Sequence, residues 1–214
     1  MIPLLKNINT KKSVIFIFIL IFLDQFVKFY VKLNYPLTIY GEIPIVDLGF
    51  FKLLFIENEG MAMGARLNYL LPFLDDNSAK LTLTIFRIFA CIGIGIWLRS
   101  IIKNNSSQLL ITCICLIFAG AVGNLIDSVF YGVIFSSSYG QVATLFPEVG
   151  YSSLFYGSVV DMIQFPLATW VWPTWLPYIG GEEYTFFEYV FNFADSYIST
   201  GVFILLIFNK KISF

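Results

Sequence analysis

Four long apolar stretches punctuate this chain, at 13–33, 81–98, 109–131 and 188–208. About 20 mostly apolar residues, within a range of roughly 17–25, carry an α-helix across a bilayer core. The pattern therefore predicts an all-α membrane protein, a four-transmembrane-helix bundle forming a single membrane domain over 1–214. Two of the connections are long, 34–80 and 132–187. The first holds the β-prone runs 36–40 and 50–56, separated by Gly and Pro, which predict a small sheet lying against the membrane surface. The second carries many Tyr and Phe residues, Trp170, Trp172 and Trp175, and four prolines. Amphipathic rings of that kind settle at the level of the lipid headgroups. No internal repeat, low-complexity tract, dinucleotide fingerprint or phosphate loop interrupts the pattern.

Composition agrees with a membrane setting. Of 214 residues 58% are hydrophobic and only 13% charged, against roughly 25% charged in soluble domains; the mean hydropathy is +0.80. Lys6, Lys11 and Lys12 ahead of the first stretch raise the possibility of a signal peptide. No small-residue cleavage site follows, however, and the apolar run continues through Asp24 and Gln25 to Val31. The first cysteine comes at position 91, too late for a lipoprotein signal, so the segment is expected to remain as a span. Basic residues lie before the first span, between the second and third (Arg99, Lys103) and after the fourth (Lys210, Lys211), and these three segments hold no Asp or Glu. By the positive-inside rule both ends are expected in the cytoplasm. The two long loops then face outward and form a small β-containing extracytoplasmic subdomain.

The chain contains no histidine, which excludes Ser-His and Cys-His nucleophile systems, His-ligated zinc and a His proton shuttle. Cys91, Cys113 and Cys115 all lie in apolar stretches and read as packing residues. No metal, cofactor or nucleic acid is expected as a partner.

Polar residues inside spans need a reason, because an ionisable side chain at mid-span costs about 2.5–3.5 kcal/mol or more. The first span has Asp24, Gln25 and Lys28; the third has Asn124, Asp127 and Ser128; the fourth has Asn192, Asp195, Ser196 and Ser199. In each set the spacing keeps the residues on one helix face. At 1.5 Å per residue Asp127 lies about 6 Å and Asp195 roughly 10 Å below the outer boundary, with Asp24 in the outer half of its span. A shared polar cluster beneath the outer surface follows, and depth alone pairs Asp127 with Asp195. Plainer readings stand beside it: Asp24 and Lys28 as an intrahelical ion pair, Ser196 and Ser199 as interhelical hydrogen-bond glue, and Gly120, Ala121 and Gly123 as a surface for close helix approach.

Five blocks in order resemble a known family. They are Leu23-Asp24-Gln25 with Lys28, the segment from Glu57-Asn58-Glu59-Gly60 to Gly64, Gly123-Asn124-Leu125-Ile126-Asp127, Val159-Val160-Asp161, and Phe191-Asn192-Phe193-Ala194-Asp195. Together they are similar to the motifs of lipoprotein signal peptidases (signal peptidase II), aspartyl peptidases of the bacterial inner membrane. The resemblance implies that Asp161 and Asp195 are the catalytic pair. Asp127 then becomes a supporting acid, while Asn58, Asn124 and Asn192, with Asp24, orient the pair and the substrate backbone; Lys28 and Gly60 belong to the same support. It also implies a diacylglyceryl-modified prolipoprotein as substrate, cut before its lipidated Cys, with membrane lipid around the site.

The chain departs from the family pattern in places. Ser128 stands where the family usually has Arg, with Arg66 or Arg87 as candidate replacements, and Met162 stands where Phe is usual. Asp161 follows Asp127 by 34 positions, longer than usual, and 164–183 is a second extended stretch; loops of this length tend to be functional or disordered. An outer lid is one role for these insertions.

Peptide hydrolysis without His, metal or an activated Ser leaves two carboxylates sharing one proton as the engine. Three other readings compete. A small proton or cation transporter would spread its acids through the full depth, whereas the inner halves of all four spans lack them. A Ser-Lys peptidase would use Lys28 with an outer serine such as Ser158. A non-catalytic assembly factor is suggested by Ser128.

Overall fold

The structure is a computed structural model that describes residues 9–38, 43–60 and 73–209. Helix α1 (Thr10–Asn34) begins at Asn9, whose side chain accepts from the Lys12 N–H, and stops at Tyr35, where the following Pro36 disfavours further helical backbone. Helix α2 (Asp76–Lys103) starts five residues before the predicted stretch, because Asp75 caps it by accepting from Ser78 N. Helix α3 (Gln108–Ile126) is capped by Ser107 and runs on through a π-helical turn, Asp127–Tyr131, and a last turn, Gly132–Ile134. These three helices are long and apolar enough to cross a membrane.

The last apolar stretch differs from the prediction. Its helix, α4, spans only Phe193–Ile207, 15 residues, or about 22 Å at 1.5 Å per residue. Residues 188–192 are not helical because Val190–Phe191 pairs with a strand instead, and Asn192 closes a capping box with Asp195. Asp195 therefore sits in the first turn of α4 rather than two turns in.

The strands form one small antiparallel sheet and one hairpin. In the sheet, β1 (Val46–Asp47), β2 (Lys52–Asn58), β3 (Val159–Gln164) and β6 (Val190–Phe191) lie in the order β1-β2-β3-β6. Strand β2 is the predicted run 50–56 shifted by two residues. Of 36–40, Leu37 makes an isolated bridge to Tyr139, and 39–40 lie outside the described residues. Ile56 faces Asp161 and Asn58 faces Val159, after an irregularity between Leu53 and Ile56. The hairpin β4 (Ala168–Val171) and β5 (Glu183–Phe186) is a separate two-stranded sheet. Its Trp170, Trp172 and Tyr184 rings pack together at 4.9–6.0 Å.

The stretch 132–158 folds back onto the sheet. Val31, Leu37, Phe55, Tyr131, Phe135, Ala143, Val160 and Met162 share one core, so Met162 fills its site as a buried apolar residue. Within that core Lys32 is fully buried, its ammonium paired with Glu57, bonded to Ser138 Oγ at 2.8 Å and stacked 4.6 Å from the Tyr151 ring. A buried cation satisfied in this way ties the insertion to β2.

Helices α3 and α4 approach most closely at glycines. A Cβ on Gly123 would meet Asp24 Oδ2 at 2.7 Å and Ala194 Cβ at 3.2 Å, and one on Gly120 would strike the Ala194 carbonyl. The small-residue face predicted for Gly120 and Gly123 is the face that lets α4 reach the polar cluster. The three cysteines are buried and free.

Candidate active site

Lys28 organises the polar residues of α1 and α3. Its ammonium lies 2.9 Å from Asp24 Oδ2 and 2.8 Å from Asp127 Oδ2, and donates to Asn124 Oδ1 at 3.0 Å. All three charged side chains are at most 1% exposed, so the two carboxylates and the cation compensate one another out of water. Gln25 Nε2 bridges Asp24 and Asp127 at 3.1 and 2.9 Å, and Tyr131 OH holds Gln25 Oε1. The Asp24–Lys28 contact is thus one edge of an interhelical cluster rather than a lone intrahelical pair.

The same carboxylates anchor the outer elements. Asp24 Oδ1 accepts from Ala194 N at 2.9 Å, in the first turn of α4, and Asp127 Oδ2 accepts from Val160 N at 3.3 Å, in β3. Asp127 is therefore taken up by Lys28, Gln25 and β3. The pairing with Asp195 that depth alone suggested is not what its oxygens make.

Asp161 and Asp195 meet instead in a network of asparagines. Asp161 Oδ1 accepts from Asn192 Nδ2 at 2.7 Å and its Oδ2 from Asn58 Nδ2 at 3.0 Å. Asp195 Oδ1 accepts from Asn124 Nδ2 at 2.8 Å and its Oδ2 from Asn192 N at 3.2 Å. Asn192 Nδ2 also donates to Asn124 Oδ1 at 3.1 Å, so the two carboxylates are joined through two side-chain amides. Gly60 N orients Asn58 by donating to its Oδ1 at 2.9 Å. Asp161 is buried and Asp195 half-buried. Burial first, and the nearby Asp195 charge second, push the Asp161 carboxyl up to about 7, against the pull of Asn58, Lys28 and Asn192 toward the ionised form.

Two other positions bear on the predictions. Ser158 Oγ lies 3.2 Å from Lys80 Nζ, while Lys28 is committed to two carboxylates, so the structure does not bring together the serine and lysine of the Ser-Lys reading. Arg87 in α2 donates to Ser128 Oγ at 2.6 Å and to Gly60 O at 3.0 Å. An arginine in an otherwise apolar span was the signal for it, although helical registry drew attention only to the other three spans. Residues 61–64 of the second motif, and Arg66, lie outside the described residues. Among the described residues no cluster of three or more Cys, Asp or Glu is placed to hold a metal ion.

The fold and site define a membrane protein with a carboxylate–asparagine centre between apolar helices and a small sheet. Two solved structures of a bacterial membrane enzyme, determined by the in meso method at 1.9 and 2.3 Å resolution, share this fold. They align with TM-scores of 0.57 and 0.56 at 22% identity, over 92% and 94% of this chain and 92% and 89% of theirs. A profile of the family described as signal peptidase (SPase) II matches residues 16–210. A lipoprotein signal peptidase of Porphyromonas gingivalis is 45% identical over 194 residues, 89% of this chain and 79% of the relative. One from Amoebophilus asiaticus is 34% identical over 193 residues, 89% of this chain and 74% of the relative. The chain belongs to the signal peptidase II family, a family of aspartic peptidases.

Proposed function

We propose that this protein is a membrane endopeptidase that removes the signal peptide of diacylglyceryl-modified prolipoproteins, cutting before the lipidated Cys, with Asp161 and Asp195 as its catalytic pair. The observation that carries the reading is the asparagine network joining those two carboxylates at the junction of β3 and α4. Asp161, protonated up to about pH 7, donates to the scissile carbonyl oxygen. Asp195 takes a proton from the attacking water, and the roles exchange as the amine leaves. Asn58, Asn124 and Asn192 fix both carboxylates before substrate arrives, so little reorganisation remains for the reaction. Asp24, Lys28 and Asp127 act one layer below, holding α4 and β3 in place.

The charge pattern supports cytoplasmic termini and a site near the outer face of the bacterial inner membrane. In that arrangement α4 is the fourth, short span, and its first turn lies at the level of the sheet. Signal helix and lipid chains then arrive laterally from the bilayer.

A direct test compares a diacylglyceryl-modified prolipoprotein with the same chain lacking the lipid, with products located by mass. Cleavage before Cys in the lipidated substrate only is the expected result; equal cleavage of both contradicts the substrate assignment. The pH profile follows from the same pair. Below about 7 Asp161 keeps its proton; above it that proton, and with it the general acid, is lost. Cleavage per enzyme is expected to fall about tenfold per pH unit above that point, and initial rates between pH 5 and 9 read it.

A further inference from the structure

Among the described residues, the guanidinium of Arg87 is a charge near the pair that the mechanism above leaves without a task. Among the described residues it forms no ion pair within 4.0 Å, although an arginine stays charged and is costly inside a membrane. What it touches is specific. One branch donates to Gly60 O; the Gly60 N–H holds Asn58 Oδ1, and Asn58 Nδ2 holds Asp161. The other branch donates to Ser128 Oγ; that hydroxyl donates to Asn124 O, and Asn124 Nδ2 holds Asp195. A planar fork fixed at both tips therefore reaches each member of the pair through one asparagine. The fields of Asp127, Asp195 and Asp161 all act on it.

We infer that Arg87 is the positioning residue of the Asp161–Asp195 pair, supplying from α2 both the alignment of Asn58 and Asn124 and a fixed positive charge beside the two carboxylates. The inference rests on the reading of those two Asp residues as catalytic. It explains why Ser128 is tolerated directly after Asp127: the hydroxyl there serves as the dock for a guanidinium arriving from another helix. It also ties the turn after β2 to the membrane helices, so that Asn58 is held from below as well as along its strand.

Three variants separate alignment from charge. Arg87→Gln removes both, and kcat is expected to fall about 10²-fold, the scale of a misalignment near 1 Å, with a smaller change in KM. Loss of the cation and of a well-placed Asn58 both favour the protonated Asp161, so the alkaline limb of the pH profile moves up. Arg87→Lys restores the charge without the two-point fork, returning the limb but only part of kcat. In Arg87→Gln/Ser128→Arg a guanidinium returns from α3, and both readouts recover. Should Arg87→Gln fail to fold, Ser128→Ala cuts one of the two relays and moves kcat and the limb in the same directions.

A folded Arg87→Gln with wild-type kcat and limb overturns the proposal. So does a loss of kcat with an unmoved limb and no rescue by Ser128→Arg, which is the signature of a structural role. Infrared titration of Asp161, identified by difference against Asp161→Asn, keeps this question apart from the peptidase reading. If the wild type fails to cleave, that reading falls, and an upward midpoint in Arg87→Gln still supports Arg87 while an unchanged one overturns it.

Discussion

Asp161→Asn and Asp195→Asn are each expected to lower prolipoprotein cleavage by about 10⁴-fold, the upper range for removing a positioned acid or base. An amide has nearly the shape of the carboxyl but cannot exchange the shared proton, so the loss falls on turnover rather than on the fold. A modest stability effect is expected as well. Both oxygens of Asp161 accept from asparagine N–H donors, and in Asp161→Asn the new amide would set its own N–H₂ against one of those donors. One mismatched hydrogen bond costs about 1–3 kcal/mol. Initial rates checked against unfolding midpoints in detergent distinguish the two effects. A folded variant that keeps a tenth of wild-type activity removes that Asp from the pair.

Lys28→Met is expected to give the largest loss of stability, about 3–5 kcal/mol, because it strands charge in a buried site. Asp24 and Asp127 would face each other across the vacated ammonium position with only Gln25 between them. Those carboxylates also hold Ala194 N and Val160 N, so the first turn of α4 and the start of β3 loosen together. Adding Asp127→Asn removes one of the stranded charges and is expected to return part of the stability. Unfolding in mixed micelles measures both variants, and a change below about 1 kcal/mol contradicts the compensating role given to Lys28. The folded fraction of Lys28→Met is expected to keep measurable cleavage, which a Ser-Lys enzyme built on Lys28 would not.

Apolar length made the first three helices legible, since hydropathy is a local property. The start of α4 was not: Val190 and Phe191 are as apolar as the helix behind them, and only pairing with Ile163 and Gln164 makes them a strand. The same non-local cause hid the partner of Asp195. Depth along separate spans measures height but not which faces meet, and so depth alone pairs Asp195 with Asp127, whose oxygens the structure gives to Lys28, Gln25 and β3. Asp161 lies in no span, and its place rested on resemblance alone. The buried Lys32 and the packed stretch 132–158 left no periodic trace, because aromatic residues look the same whether they line a core or a membrane surface. In the hairpin β4–β5 the exposed face does carry them.

Water activated by two carboxylates, rather than a covalent nucleophile, is expected to cut the signal peptide. The most direct measurement is a rapidly quenched single turnover of purified wild-type protein on a diacylglyceryl-modified prolipoprotein, with substrate, products and intact enzyme followed by mass. A two-carboxylate mechanism yields a signal peptide ending just before the lipidated Cys and an enzyme whose mass never changes. An enzyme transiently carrying the signal peptide, on Ser158 or elsewhere, or a folded enzyme that leaves the substrate whole, would contradict it.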